Sequence, residues 1–290
     1  MVPLYENKVH SGVILSIFAY IFWVVHAALI VPVIPTVGIL WSITFAFAFS
    51  AIFTLLFTIM NRIPIYKVEQ PRVVLVQTVI GALLLTTYIL CAYYASLYTV
   101  GVFTIGSYLF LVIYQRAEPR LSNALRFTVY VSIVIGYFHF LIHEDYTFML
   151  GALAGFICSF ILGATRSVRH KGKLNKYSFV LSFLQPAFSA LVAFILAWFY
   201  GGAINISPNE WLLLVSSGFF LFLTHHYFHF SYRFAQGLVI GAMSWVGFAV
   251  AAFIQICLWN QYLSLTQYIG TILVVVASFA LMKNYAFSEQ

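Results

Sequence analysis

The chain has 290 residues, of which 63% are hydrophobic and 7% charged. A soluble domain carries about 25% charged residues, so too few charges remain here to cover a water-exposed surface. A net charge of +7 would suggest nucleic acid in a soluble protein, but cytoplasmic loops give a membrane protein the same balance, so it is read as topology. Cys91, Cys158 and Cys257 are odd in number and lie in apolar runs, which excludes a disulfide framework.

Stretches of about 20 apolar residues, enough to cross a ~30 Å hydrocarbon core, recur along the chain. They fall at 11–31, 37–60, 71–92, 97–115, 124–142, 147–166, 177–200, 210–231, 236–258 and 264–283, with short polar or Gly/Pro breaks between them. The first has no small-residue cleavage site and is read as a first helix rather than a signal peptide. Lys8 precedes it. Arg62, Lys67 and Arg72 follow the second, and Arg116, Arg120 and Arg126 the fourth. Arg166, Arg169, Lys171, Lys173 and Lys176 follow the sixth, Arg233 the eighth and Lys283 the tenth. All 14 basic residues thus fall at a terminus or an even-numbered break, whereas the odd-numbered breaks hold only Glu144, Asp145 and Glu210. Short-loop Lys/Arg bias sets orientation, so both termini are expected in the cytoplasm. A missed or extra helix would scramble the segregation, which therefore supports a count of ten.

The halves repeat each other. Gly12 and Gly151 are 139 residues apart, and Ala48-Phe49-Ser50-Ala51 recurs at that spacing as Ala187-Phe188-Ser189-Ala190. Gly101 pairs with Gly237, and the break starting at Glu118 with that starting at Asn260. Five helices per half is odd, so units 1–145 and 146–290 would cross the membrane in opposite senses. The expected fold is all-α integral membrane, ten transmembrane helices as two inverted five-helix repeats. Secondary transporters with that plan hold substrate near mid-membrane, between the repeats.

The chain resembles the drug/metabolite transporter (DMT) superfamily, in particular its EamA-type ten-helix members. Ile21-Phe22-Trp23 is similar to that family's aromatic-Trp-Gly opening, with Val24 in place of glycine. The stretch from Tyr94 to Gly101 resembles its turn between the third and fourth helices, with Ser231 to Gly237 as its partner. Ala117-Glu118-Pro119-Arg120 keeps part of the Leu-Gly-Glu-Arg ending of the fourth helix, and Trp259-Asn260 stands where the ninth would carry Gly-Glu. The resemblance implies a cavity among the first, third, fourth, sixth, eighth and ninth helices. The fifth and tenth would lie outside, where they could join two copies as a homodimer. It also implies a bacterial cytoplasmic membrane.

By these spans every Lys, Arg, Asp and Glu lies in a break or within about a turn of a helix end, so no fixed charge is expected in mid-membrane. Histidine, aromatic and amide groups remain. His225 and His229 are one turn apart on the eighth helix, with His226 flanking them. Histidines titrating near pH 6.5 could bind substrate or couple protons, or could simply hydrogen-bond within a helix interface. His26 shares the first helix with Tyr20 and Trp23. His139 and His143, near the outer end of the fifth helix, are read as packing residues. Aromatic faces can hold a flat or cationic group without a counter-charge, which adds Tyr88, Tyr94, Tyr108 and Trp245. Ser107 and Ser244 close two small-residue stretches that permit close helix contact. Gln185 stands beside Pro186, which frees a backbone carbonyl.

These residues describe a secondary transporter, not an enzyme, moving a small neutral, zwitterionic or cationic metabolite such as an amino acid or related amine. Its partners would be that substrate and the lipid bilayer. An anion could still be recruited by Arg166 or Arg233. No catalytic residue, cofactor or metal is expected. The alternatives are a histidine-based membrane redox or metal-binding protein or enzyme, and a receptor or scaffold, for which the loops are too short to hold a soluble domain.

Overall fold

A computed structural model describes residues 2–63, 70–115, 123–141, 145–170, 177–202, 204–262 and 264–285, and among them the secondary structure is helical throughout. Ten helices follow in order. Helix α1 (Val2–Ile30) is prolonged by a 3-10 turn (Val31–Val33) and a further turn (Ile34–Val37). Then come α2 (Ile39–Met60), α3 (Pro71–Tyr94), α4 (Leu97–Gln115), α5 (Asn123–Leu141), α6 (Tyr146–His170), α7 (Ser178–Tyr200) and α8 (Pro208–Phe234). Helix α9 (Gly237–Leu258) is interrupted at Met243 and ends in a π-turn (Ile254–Leu258), and α10 (Leu265–Tyr285) completes the set.

Nine of the ten are long and apolar enough to cross a bilayer, and α5 contributes a shorter apolar stretch, Phe127–Leu141. In hydrocarbon every backbone N–H and C=O must find a partner within the protein, so runs of this composition fold as helices. Serines and threonines inside them return their hydroxyls to the preceding turn: Thr54 donates to the Ser50 carbonyl at 2.9 Å and Thr78 to that of Val74 at 2.8 Å. The chain is an integral, multi-pass, all-α membrane protein.

Local chemistry sets the helix ends. Pro32 and Pro35 cannot donate to the helical ladder, and the tail of α1 tightens there into its 3-10 turn. Gly38, at φ +86°, then reverses the chain in a conformation L side chains rarely adopt. Helix α8 opens with a capping box: Ser207 Oγ accepts from the Glu210 N–H, and the Glu210 carboxylate accepts from the Ser207 N–H. Thr36 donates its hydroxyl to Glu210, joining the end of α1 to the start of α8.

Helices α1 and α8 run antiparallel from Gly12 against Ala235 to Thr36 against Glu210. Near the start of α1 a Cβ on Gly12 would come 2.6 Å from the Ala235 Cβ and 3.1 Å from the Phe234 carbonyl carbon. Near the start of α6 a Cβ on Gly151 would meet the Ala95 nitrogen at 2.4 Å and the Tyr94 carbonyl carbon at 2.8 Å. Any side chain at either position would part the helices. Helix α2 packs on α7, α4 on α9 and α5 on α10. The small-residue stretches make the close contacts expected of them: Gly101 lies against the Phe248 backbone and Gly241 against Leu111 and Tyr108.

Candidate functional site

A cavity of about 40 Å³, measured at water-molecule centres, lies where α1, α3, α6, α7 and α8 converge. Trp23 lines it from α1, Gly81, Leu84 and Leu85 from α3, and Leu162, Thr165 and Arg166 from α6. Gln185 of α7 and His225, Phe228 and Tyr232 of α8 close it. One water needs about 10–15 Å³ on that measure, so this conformation has room for about three waters and the helices must part to admit a metabolite.

Arg166, about a turn from the end of α6, nevertheless brings a charge into the packed bundle. Helix α6 continues past the sequence-based end at 166, and the Arg166 side chain, only 2% exposed, turns inward. Its Nη1 donates to Ser107 Oγ at 2.6 Å and its Nη2 donates to the Tyr20 hydroxyl, while its Cζ sits 5.4 Å from the centre of the Tyr20 ring. Ser107 in turn donates its hydroxyl to the Thr104 carbonyl at 2.6 Å. These partners are neutral. Burying an ion without a counter-charge costs several kcal/mol, and charges in membrane helices are retained mainly where they act. The side chains of Arg62, Arg72, Arg233 and Lys283, by contrast, are exposed.

A signal for Arg166 was present in the sequence. Gly151, Gly155, Leu162 and Arg166 recur at intervals of four, seven and four residues, so Arg166 continues the buried face of α6. A hydropathy reading treats the first arginine after an apolar run as its end. The long side chain, set on the inner face, instead returns its head to the bundle.

Of the candidate residues, Trp23, Gln185 and His225 line the cavity. The Trp23 ring meets the Tyr88 ring edge-on at 4.7 Å, and the Tyr88 hydroxyl donates to the Trp23 carbonyl at 3.0 Å, so Tyr88 positions Trp23 from behind. The indole N–H of Trp23 is buried and has no acceptor among the described residues. Gln185 lies across Gly81, where a Cβ would fall 2.2 Å from its amide, and Gln185 Nε2 donates to the Gln77 carbonyl at 3.0 Å. Pro186 has no N–H for the carbonyl of Ser182 one turn earlier. His225 Nδ1 lies 3.4 Å from that carbonyl oxygen.

The other expected residues serve different places. His26 Nδ1 is 2.7 Å from Ser217 Oγ and 3.0 Å from the Ser217 carbonyl oxygen, which joins α1 to α8 away from the cavity lining. His226 packs on the Phe57 ring at 4.4 Å and His229 on the Phe179 ring at 4.4 Å. The three eighth-helix histidines thus do not share one site. Tyr108 is fully buried behind Gly241, and Tyr94, exposed at the end of α3, meets the Tyr93 ring edge-on. Ser244 is buried at the interruption of α9, and Trp245 is 41% exposed, facing outward. His139 packs its Cβ against Gly270, while His143 lies outside the described residues. Among the described residues no three His, Cys, Asp or Glu side chains gather as a metal site.

No protein-family model and no curated protein matches the chain. Solved structures do: 15 chains match, and with one protein of known crystal structure the likeness covers 96% of this chain and 99% of that one, at 14% identity and a TM-score of 0.68. At that identity the likeness is one of fold.

Proposed function

We propose that the chain is a secondary transporter that moves a small organic metabolite by alternating access between two related five-helix halves, 1–145 and 146–290. The observation that carries the reading is the cavity itself. It lies inside a membrane bundle, draws its walls from both halves, and holds a buried charge. Midplane sites at the interface of repeats are how membrane carriers hold solutes, and a buried ionisable group there marks a functional site.

The related-halves reading has support in packing as well as spacing. Gly12 of α1 meets the α8–α9 junction at Ala235, and Gly151 of α6 meets the α3–α4 junction at Ala95. Gly81 of α3 faces Gln185 of α7, and Gly218 of α8 faces the Ala46 carbonyl of α2, positions 137 and 139 residues apart. Each half thus inserts equivalent contacts into the other. The position 139 residues before Arg166 is Ala27, so the framework is repeated and the charge is not.

On this reading α5 crosses the bilayer as the tenth span, both termini are cytoplasmic, the membrane is the bacterial cytoplasmic one, and no chemistry is catalysed. The DMT and EamA resemblance belongs to the same proposal, as does dimerisation through α5 and α10. Uptake by proteoliposomes, screened over a metabolite panel with folding verified, tests it. Accumulation of a solute that Gly81→Leu suppresses is expected, since leucine there would push Gln185 into the cavity. Failure of a folded protein to move any solute sinks it.

A further inference from the structure

We propose that the cavity grips the carboxylate of a monocarboxylate with an apolar body, using the Arg166 guanidinium and the Trp23 indole N–H; the proposal rests on the transporter reading of the same cavity. A guanidinium has five N–H donors. Among the described residues Arg166 spends them on two neutral hydroxyls, those of Ser107 and Tyr20. The described acidic side chains, Asp145 and Glu210, are occupied elsewhere by Thr147 and by Thr36 and Ser207. The positive charge is therefore hydrogen-bonded but not neutralised.

Trp23 supplies the independent observation. Its side chain is 6% exposed and borders the cavity, and its indole N–H meets no acceptor among the described residues. A buried donor without an acceptor calls for an explanation. One unmet donor and one charge without a counter-charge on one small cavity call for a ligand that brings acceptor oxygens and a negative charge.

The charge and the walls narrow the class. A planar guanidinium matches the two oxygens of a carboxylate, and one arginine balances one negative charge, where a phosphate dianion would leave an excess. An amine would meet a like charge in a site with no carboxylate among the described residues. Beside the polar groups of Thr165, Gln185, His225 and Tyr232, the cavity presents the apolar side chains of Leu84, Leu85, Leu162 and Phe228, which suit a hydrocarbon or aromatic body.

Titration calorimetry and thermal shift on the purified full-length protein test this with acetate, phenylacetate and indole-3-acetate against phenylacetamide, phenethylamine and inorganic phosphate. Phenylacetate or indole-3-acetate should bind at least about tenfold more tightly than the amide, the amine or phosphate, as expected for a charge-assisted bidentate contact. Arg166→Gln should lose that preference, Arg166→Lys should retain part of it, and Trp245→Phe should leave it unchanged. Binding of the amide or amine as tight as that of the acids, tighter binding of phosphate, no binding of any of the three acids, or full carboxylate binding by Arg166→Gln overturns the proposal. If Arg166→Gln does not fold, the wild-type panel and Arg166→Lys decide. Proteoliposomes that move a solute regardless of a glutamine at 166 sink the carboxylate site and leave the transporter reading intact. Carboxylate binding by a protein that moves nothing does the reverse.

Discussion

The three histidines of α8 look alike in sequence and part company in the folded chain. A rotation of about 100° per residue turns His226 away from His225, and His229 lies one turn further along the helix, so His225 reaches the cavity while His226 and His229 meet the Phe57 and Phe179 rings edge-on. Losing a hydrogen bond at a buried site costs about 1–3 kcal/mol. If His225 supports the bound substrate, His225→Ala should weaken transport about five- to a hundredfold and leave folding intact. His229→Ala should do the opposite, lowering the thermal midpoint by removing an edge-to-face ring contact worth about 0.5–1.5 kcal/mol beyond its burial, with little effect on transport by the protein that stays folded. Parallel uptake and melting curves separate the two, and identical profiles for both variants would refute the division. The sequence placed this histidine helix at the site, but not which of its faces met the cavity. Periodicity tells which residues share a stripe, and only the neighbours α2 and α7 decide where that stripe points.

At the scale of elements, the helix boundaries were legible because lipid permits so few alternatives, and runs of about 20 apolar residues correspond one for one with the observed helices. Illegible were the departures from regularity: the interruption of α9 at Met243 and the π-turn at its end, where the Trp259 N–H reaches back to the Ile254 carbonyl at 3.0 Å. Neither carries a proline, so neither leaves a mark in composition. Pro186 does leave one, and it has no N–H to offer the Ser182 carbonyl that His225 approaches. Pro186→Ala would restore the N–H to that carbonyl and remove a defect worth about 3 kcal/mol in a helix interior. The variant should be at least as stable as the parent yet transport more slowly, because the Ser182 carbonyl beside His225 would be taken up by the helical ladder. Faster or unchanged uptake would contradict a role for the proline. A second element-level test lies far from the cavity. At the α5–α10 crossing a Cβ on Gly136 would fall 2.8 Å from the Gly270 carbonyl oxygen. That neighbour is backbone and cannot swing aside, so Gly136→Leu should destabilise by about 1–3 kcal/mol, the usual range for overpacking. Val276→Ala on the exposed face of α10 is the control and should change the midpoint little.

For the whole molecule the open quantity is parity. Nine helices meet the length and hydropathy expected of a span, and the described apolar part of α5 is shorter; the proposed one-sided placement of lysine and arginine predicts that α5 crosses. Asn61 ends α2 and Ser207 precedes α8, so the helices between them are α3 to α7. If all five cross, the two residues face opposite sides of the membrane. If α5 does not, they face the same side. Asn260, between α9 and α10, shares the side of Ser207 in either case when α8 and α9 both span, and serves as an internal control. Cys91 and Cys158 are buried, but Cys257 is exposed and must first become serine. In intact cells a membrane-impermeant maleimide should then label Ser207→Cys and Asn260→Cys, and label Asn61→Cys only after lysis. Labelling of Asn61→Cys and Ser207→Cys from the same side would remove α5 as a span. It would also make the two halves unequal in their crossings, and the inverted arrangement on which alternating access depends would fall with it.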